Sequence, residues 1–145
     1  MERILALDVG DRRIGIAVSD PLGLTAQGIE TYRRADNDPE SDARYILSVA
    51  ERYRPVLLLF GLPRNMDGSY GFQSEKVRGF ADIILRNWDG PHDFYDERLT
   101  TVRAERILLE GNVRRDKRKN VIDKMAACII LEGYLESHRG RKGDT

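Results

Sequence analysis

The sequence ILALDVG at residues 4–10, with DRR at 11–13 and IGIAVSD at 14–20, predicts two apolar strands joined by a short polar turn. The first segment is apolar at nearly every position, which is typical of a central strand covered on both faces. It ends in Asp8, and a carboxylate there is costly unless it is paired, bound to a metal or exposed at the strand's edge. A turn-starting or capping aspartate is the simpler interpretation of Asp8. The other residues of the chain have to distinguish a structural aspartate from one that binds a partner or a metal.

The composition indicates one ordinary globular domain. The chain has 145 residues, of which 41% are hydrophobic and 33% are charged, so we expect a single core and little disorder. The 24 Lys and Arg residues balance the 24 Asp and Glu residues. Binding to nucleic acid by bulk charge is therefore disfavoured, and any such binding requires local basic patches. We expect one domain over residues 1–138 and a polar tail over residues 139–145.

The cysteine content and the N-terminus bear on location. Cys128 is the single cysteine, so no internal disulfide can form and a reducing compartment is the default. The N-terminus has no apolar signal core, and no apolar run approaches membrane-spanning length. We expect a cytoplasmic protein.

The hydrophobic pattern predicts the order β-β-β-α-β-α-β-α-α. The elements after the first hairpin are an edge strand at residues 28–32, a helix ending before Pro55, a strand at 56–60, a helix with an apolar stripe at 77–88, a strand at 92–96, a helix from about 100 to 111 and a last helix from about 121 to 137. A strand meander followed by alternating strands and helices indicates a mixed sheet with helices packed on its faces. The fold class is therefore α/β.

Two further carboxylates could accompany Asp8. Glu97 follows the strand predicted at residues 92–96, and if that strand neighbours the first one, Glu97 and Asp8 could meet at one place. Asp123 lies among apolar residues near the start of the last helix, which could bring it to the same place. Its alternative role is to stabilise the helix dipole as a first-turn acid. Whether Asp96 shares the role of Glu97 stays open, since adjacent strand residues face opposite ways.

Three clustered carboxylates require a counter-charge. They would repel one another and raise one another's pKa values unless a divalent cation neutralised them. Oxygen ligands alone suit Mg²⁺ or Mn²⁺ better than zinc. Two such ions would activate a water molecule and stabilise the leaving oxygen in phosphodiester hydrolysis.

Basic side chains flank these acids repeatedly, as phosphate binding requires. The candidate nucleic-acid-binding residues are Arg12, Arg13, Arg64, Asn65, Arg98, Arg114, Arg115, Lys117 and Lys119. A solvated, mobile loop is the alternative interpretation of the basic run at 114–119.

Four motifs together resemble a known family. They are LALDVG at residues 5–10 with RIGIA at 13–17, GLPRNMDGS at 61–69, DERLTT at 96–101 and IDKMAA at 122–127. In this order, over nearly the whole chain, they resemble the YqgF-type Holliday junction resolvases, also described as pre-16S ribosomal RNA nucleases. Arg64 departs from the pattern, because many relatives have leucine there.

The resemblance implies an RNase H-like fold with a mixed five-stranded sheet flanked by helices. It also implies metal-dependent phosphodiester cleavage with Mg²⁺ or Mn²⁺, in maturation of the 5′ end of 16S ribosomal RNA. The residues that it marks as metal-binding and catalytic are Asp8, Glu97 and Asp123.

Other functions stay open at this point. DNA junctions could be the substrate instead of precursor RNA, the small-subunit precursor could be a partner, and the protein could be a monomer or a homodimer. A non-catalytic nucleic-acid-binding module would have the same fold. An actin-like or sugar-kinase-like ATP-binding fold also has an Asp-Val-Gly hairpin, but such proteins generally need two lobes and this chain is long enough for one.

Overall fold

A five-stranded mixed sheet forms the centre of the protein. The computed structural model describes residues 3–63, 67, 69–97 and the helix over 115–143, with side chains in that helix described over 124–138. The strands are β1 (Ile4–Val9), β2 (Arg13–Ser19), β3 (Ala26–Arg33), β4 (Leu57–Leu62) and β5 (His92–Asp96). Antiparallel pairing joins β1 to β2 and β2 to β3, and parallel pairing joins β1 to β4 and β4 to β5. The predicted mixed sheet is confirmed.

The order of the strands does not meet the condition stated for Glu97, that its strand neighbours the first one. The sheet runs β3-β2-β1-β4-β5, so β4 lies between β1 and β5 and the strand before Glu97 does not neighbour the strand that carries Asp8. Short apolar strands joined by helical crossovers are compatible with several orders, and the sequence pattern does not distinguish them.

Helices cover both faces of this sheet. Over the described residues they are α1 (Pro39–Tyr53), α2 (Phe72–Leu85) and α3 (Arg115–Gly143). Helix α1 begins with a capped first turn: the side chain of Asp38 accepts a hydrogen bond from the backbone N–H of Ser41, and Pro39 occupies the first turn. It ends at Arg54, whose φ of 48° is left-handed.

Helix α3 is longer than expected at both ends. It begins at Arg115 instead of about Val121, and it continues to Gly143, so the predicted polar tail starts inside the helix. The basic residues at 115–119 are therefore helical, where the sequence suggested a loop. The helix expected over about residues 100–111 lies outside the described residues.

The two faces of the sheet carry different side chains. Large apolar residues such as Leu7 and Phe60 point towards α1 and α2 and form the larger core. The opposite face carries small residues, Ala6 and Ala17, against the buried face of α3. On this face a Cβ atom at Gly28 of β3 would lie 2.6 Å from Cγ of Lys124. Small residues therefore let α3 approach the sheet closely. Within the described residues, none of the helices has the length and apolar character that a bilayer crossing requires.

Candidate functional site

Asp8 lies in β1 on the sheet face that packs against α3. Its side chain is buried, with 8% of its surface exposed, and it shares a face with Ala6 because side chains alternate along a strand. Its pairing partner in the neighbouring strand β2 is Gly15. Continuing the parallel register one residue beyond the Leu7–Phe60 pair places Gly61 of β4 on its other side. Glycines thus flank this carboxylate on both neighbouring strands.

Glu97 reaches the same place from the far side of Gly61. It directly follows β5, in which Tyr95 pairs with Gly61 and packs on the α3 side. The Glu97 side chain is on this side too, because its Cγ atom lies 3.6 Å from where a Cβ atom at Gly61 would be. Gly61 therefore lies between the two acids on this face, and Cδ1 of Ile130 in α3 occupies the place that its side chain would take.

Asp96 belongs to the opposite face. Its neighbour Tyr95 packs towards α3, whereas Phe94 packs in the core beneath α1 and α2. Alternation along β5 places Asp96 with Phe94. Of the two adjacent acids, Glu97 is the one that shares a face with Asp8.

Asp123 is in α3, one turn before Ala126 and Ala127, both of which are buried against the sheet. Its side chain lies outside the described part of the helix, so its place in a three-carboxylate site stays a prediction. Among the side chains that the structure describes, no group of three His, Cys, Asp or Glu residues is arranged to hold a metal ion. Of the three predicted metal-binding acids, the structure describes the side chains of Asp8 and Glu97.

Two arginines lie on the same sheet face as Asp8, on the side away from Glu97. Arg13 precedes Gly15 by two residues, a distance of about 7 Å along the strand, and so lies on the Asp8 face. The residue directly opposite Arg13 in the neighbouring strand β3 is Arg33. Like charges opposite each other destabilise a sheet, and within the described residues neither guanidinium makes an ion pair or a side-chain hydrogen bond. Such a pair of cations is suited to bind an anion.

The sequence identified Arg13 but missed Arg33. Pairing across β2 and β3 shifts register at Ile16 and Ala17, so counting along the hairpin does not give the partner of Arg13. A basic residue at the end of the third strand was the only available indication.

A backbone hydrogen bond closes the β1–β2 turn, which carries Arg12 and Arg13. The N–H of Gly10 donates to the carbonyl of Arg13 at 2.8 Å, and a Cβ atom at Gly10 would lie 2.9 Å from that oxygen. The turn thus requires glycine there. Arg12 is exposed, and its carbonyl accepts a hydrogen bond from the N–H of Arg34 at 2.8 Å.

An ion pair between Arg34 and the buried Asp42 holds this turn in place. Nε of Arg34 lies 2.8 Å from Oδ2 of Asp42, and Nη1 of Arg34 donates to the carbonyl of Gly10 at 2.9 Å. Asp42 also accepts hydrogen bonds from the hydroxyl of Tyr32 and the N–H of Ala35. Burial raises the pKa of Asp42, but the hydrogen bonds, led by that from Arg34, outweigh burial and lower it below the ordinary value of 3.8. Asp42 therefore stays ionised and fixes Arg34 against the turn.

The remaining candidate residues are only partly described. Arg64, Asn65, Arg98 and Arg114 lie outside the described residues, and Arg115, Lys117 and Lys119 are in the first turns of α3 with side chains outside the description. Their role in binding nucleic acid stays a prediction.

Comparison with known sequences assigns the chain to a family. Residues 2–137 match the family model RuvX, described as Holliday junction resolvase. A protein of Clostridium acetobutylicum named "Putative pre-16S rRNA nuclease" is 51% identical over 135 residues, which cover 93% of this chain and 98% of the relative. A protein of the same name from Halothermothrix orenii is 52% identical over 133 residues, covering 92% of this chain and 94% of the relative.

Solved structures confirm the fold. Thermus thermophilus RuvC in complex with a Holliday junction substrate is 14% identical and superposes with a TM-score of 0.63, covering 97% of both chains. The fowlpox virus Holliday junction resolvase is 18% identical with a TM-score of 0.56, covering 93% of this chain and 99% of that one. The predicted RNase H-like architecture is thereby confirmed. With the family model matching nearly its whole length, the chain belongs to the RuvX family.

Proposed function

We propose that this protein is a nuclease that hydrolyses phosphodiester bonds in precursor 16S ribosomal RNA. The observation that carries the proposal is the convergence of Asp8 and Glu97 on one sheet face, from two strands that are not neighbours, around Gly61. The relatives that are about half identical over nearly the whole chain bear the name of such a nuclease. Because the substrate is a ribosomal precursor, the proposed location is the cytoplasm and the proposed partner is the small-subunit particle.

The donor set fits divalent metal ions. Asp8 and Glu97 offer carboxylate oxygens, which Mg²⁺ and Mn²⁺ prefer, and they lie on one sheet face on either side of Gly61. Asp123 is the proposed third ligand, since its helix packs against this face. Two ions bound to these residues would supply an activated water molecule and stabilisation of the leaving oxygen.

The arginines have a separate task in this proposal. Arg13 and Arg33 bind the phosphate that neighbours the scissile one, because they lie on the carboxylate face about two residues along the strands from Asp8. The exposed Arg12 extends the same basic edge. Phosphate contacts of this kind fix the position of the strand and carry no sequence information.

A four-way DNA junction is the second candidate substrate. The family model is described as Holliday junction resolvase, and RuvC bound to its junction superposes over 97% of the chain. The same carboxylates would serve either substrate. Resolution of a junction needs two active sites, so this alternative also requires a homodimer.

The test is cleavage of end-labelled precursor 16S RNA and of a four-way DNA junction, each with Mg²⁺, Mn²⁺ or a chelator. Asp8→Asn is compared with Asp82→Asn, which makes the same change at an exposed position of α2. We expect metal-dependent cleavage of the RNA by the wild type and by Asp82→Asn, and none by Asp8→Asn. Cleavage of the junction alone would favour the second candidate, and wild-type cleavage by Asp8→Asn would overturn the site.

Calorimetric titration with Mn²⁺ gives a readout that does not need a substrate. Asp8→Asn and Glu97→Gln should each weaken Mn²⁺ binding, whereas Asp82→Asn should not. Metal binding without cleavage of the free RNA would show that the particle is needed. Absence of both would favour a non-catalytic binding module.

A further inference from the structure

The end of the sheet where β1 begins carries exposed apolar side chains. In the described part of the chain, three of the six exposed large hydrophobic residues lie there: Leu22 at 71%, Leu24 at 54% and Val56 at 45%. Leu22 and Leu24 belong to the loop between β2 and β3, over residues 20–25, and Val56 directly precedes β4. Isolated exposed apolar side chains are common, but three at one end of a sheet indicate a contact surface.

Asp20 fixes the shape of the β2–β3 loop. Its carboxylate accepts hydrogen bonds from the backbone N–H groups of Leu22 at 3.3 Å and of Leu24 and Thr25 at 2.7 Å. The N–H of Gly23 donates to the carbonyl of Asp20, and the φ of 70° at Gly23 favours glycine there. The loop thus holds both leucines in solvent in a preformed arrangement, which lowers the entropic cost of docking them against a partner.

A groove of about 530 Å³ opens near the C-terminal ends of α1 and α2, within the range of about 300–1,000 Å³ that is usual for binding pockets. Buried and half-buried apolar residues form its floor, and exposed charged residues lie on its rim. The floor includes Leu47, Ala50, Pro55 and Trp88, and the rim includes Glu51 and Arg54. An apolar floor with a polar rim is the usual anatomy of a protein interface. The rim carries one charge of each sign and the loop has only Asp20, so charge does not oppose contact between them.

Hydrogen bonds place the loop and the groove at the same end of the sheet. The N–H of Ile4 in β1 donates to Oγ of Ser19, the last residue of β2, at 2.8 Å. The N–H of Val56 donates to the carbonyl of Arg3 at 2.8 Å, so β4 begins beside the start of β1. In the order β3-β2-β1-β4-β5, the loop lies on one side of β1 and the groove lies on the other. A two-fold axis perpendicular to the sheet at this end therefore brings each loop towards the groove of a second copy.

We propose that two copies of this chain associate end to end, with the β2–β3 loop of each copy seated in the groove of the other. Such a contact is closed by its two-fold symmetry, so it gives a dimer and no longer assembly. Asp8 lies towards the opposite end of β1, and the two candidate sites therefore point away from each other. The dimer serves two separate RNA strands and does not bring both sites to one DNA junction. This inference does not depend on the proposed nuclease function.

The first test is sedimentation velocity over a series of protein concentrations. We expect a reversible monomer–dimer equilibrium for the wild type. Leu22→Glu and Leu24→Glu each place a charge against the apolar floor, and each should raise the dissociation constant about 30-fold or more, as loss of a central interface residue does. Phe72→Glu is the matched control, because Phe72 is also 71% exposed but lies at the start of α2. It should leave the equilibrium unchanged.

Cross-linking identifies the surfaces that meet. Pro21 is exposed beside Leu22 in the loop, and Glu51 is exposed on the groove rim. In a Cys128→Ser background, protein with Pro21→Cys is mixed with protein with Glu51→Cys and treated with a short bis-maleimide. We expect covalent dimers in the mixture and few in either protein alone, because the proposed contact joins the loop of one copy to the groove of the other.

A wild type that stays monomeric at every concentration would overturn the dimer. An unchanged dissociation constant in Leu22→Glu and Leu24→Glu would also overturn it, and cross-links in Pro21→Cys alone would show that loop meets loop instead of groove. Failure of the nuclease proposal is distinct, because it would be seen as absent cleavage by a wild-type protein that still forms the dimer.

Discussion

Arg13 and Arg33 lie directly opposite each other across β2 and β3, on the sheet face that carries Asp8. A stable sheet gains nothing from two facing cations, and within the described residues no acid compensates them. We propose that an anionic ligand supplies a compensating charge at this pair. The phosphate backbone of a nucleic acid is such a ligand.

Charge reversal at Arg33 should separate stability from binding. Arg33→Glu would place opposite charges across the two strands, so we expect the free energy of unfolding to rise by about 0.5 kcal/mol. RNA binding should weaken at the same time, and Arg33→Ala should lower the slope of log affinity against log salt by about 1. The measurements are urea unfolding and binding between low and moderate salt.

The control for that experiment is Arg44→Ala, which removes the same charge from an exposed position of α1. It should change neither the affinity nor the salt slope. If Arg33→Glu bound RNA as tightly as the wild type, Arg33 would not contact phosphate.

The strands were predictable because their apolar runs are short and bounded by turn residues. β1, β2 and β5 lie where the pattern placed them, and β4 continues through Gly61 to Leu62, where the sequence suggested an end. Glycine in a strand usually marks a close approach, and here Gly61 accommodates Ile130 of α3.

Long-range features were not predictable in the same way. The position of β4 between β1 and β5, the Arg13–Arg33 pairing and the Arg34–Asp42 ion pair all depend on strand order and register. The early start of α3 was missed because the basic run at 114–119 has no apolar periodicity. A charged helix of this kind is set by its surroundings more than by its pattern.

Glu97 and Asp96 should differ sharply in function. Glu97→Gln should abolish cleavage and weaken Mn²⁺ binding, because Glu97 lies beside Gly61 on the Asp8 face. Asp96→Asn should retain most of the activity, since alternation along β5 turns Asp96 to the other face. Initial rates at saturating Mg²⁺ compare the two, and equal losses would mean that both acids serve the site.

Gly61 is expected to tolerate no side chain while Ile130 is intact. A Cβ atom at Gly61 would collide with Cδ1 of Ile130, which is fully buried. Overpacking of this kind costs about 1–3 kcal/mol, so Gly61→Ala should lower the free energy of unfolding by that amount.

The matched rescue is Ile130→Val, which removes the colliding carbon. Alone it should cost about 1 kcal/mol, yet combined with Gly61→Ala it should recover part of the lost stability. A double-mutant cycle measured by urea unfolding gives this coupling. Strict additivity of the two changes would show that the collision is relieved elsewhere.

The Asp42–Arg34 pair should make stability depend on pH in the acid range. The pKa of Asp42 is lowered from 3.8 in the folded state, so at acid pH the folded protein binds fewer protons than the unfolded chain does. The free energy of unfolding therefore falls as the pH drops below about 4. Removing one partner of a buried ion pair costs about 3 kcal/mol. Asp42→Asn should therefore be destabilised by about that amount at neutral pH.

The difference between Asp42→Asn and the wild type should shrink as the pH falls through the folded pKa, because the wild-type carboxyl then becomes neutral too. Urea unfolding from pH 3 to pH 7 measures this, with Asp82→Asn on the surface of α2 as the control. Since Arg34 also holds the carbonyl of Gly10, Asp42→Asn should weaken RNA binding through the turn that carries Arg12 and Arg13. A pH-independent loss of stability would mean that Asp42 contributes through packing and hydrogen bonds and its charge does not matter.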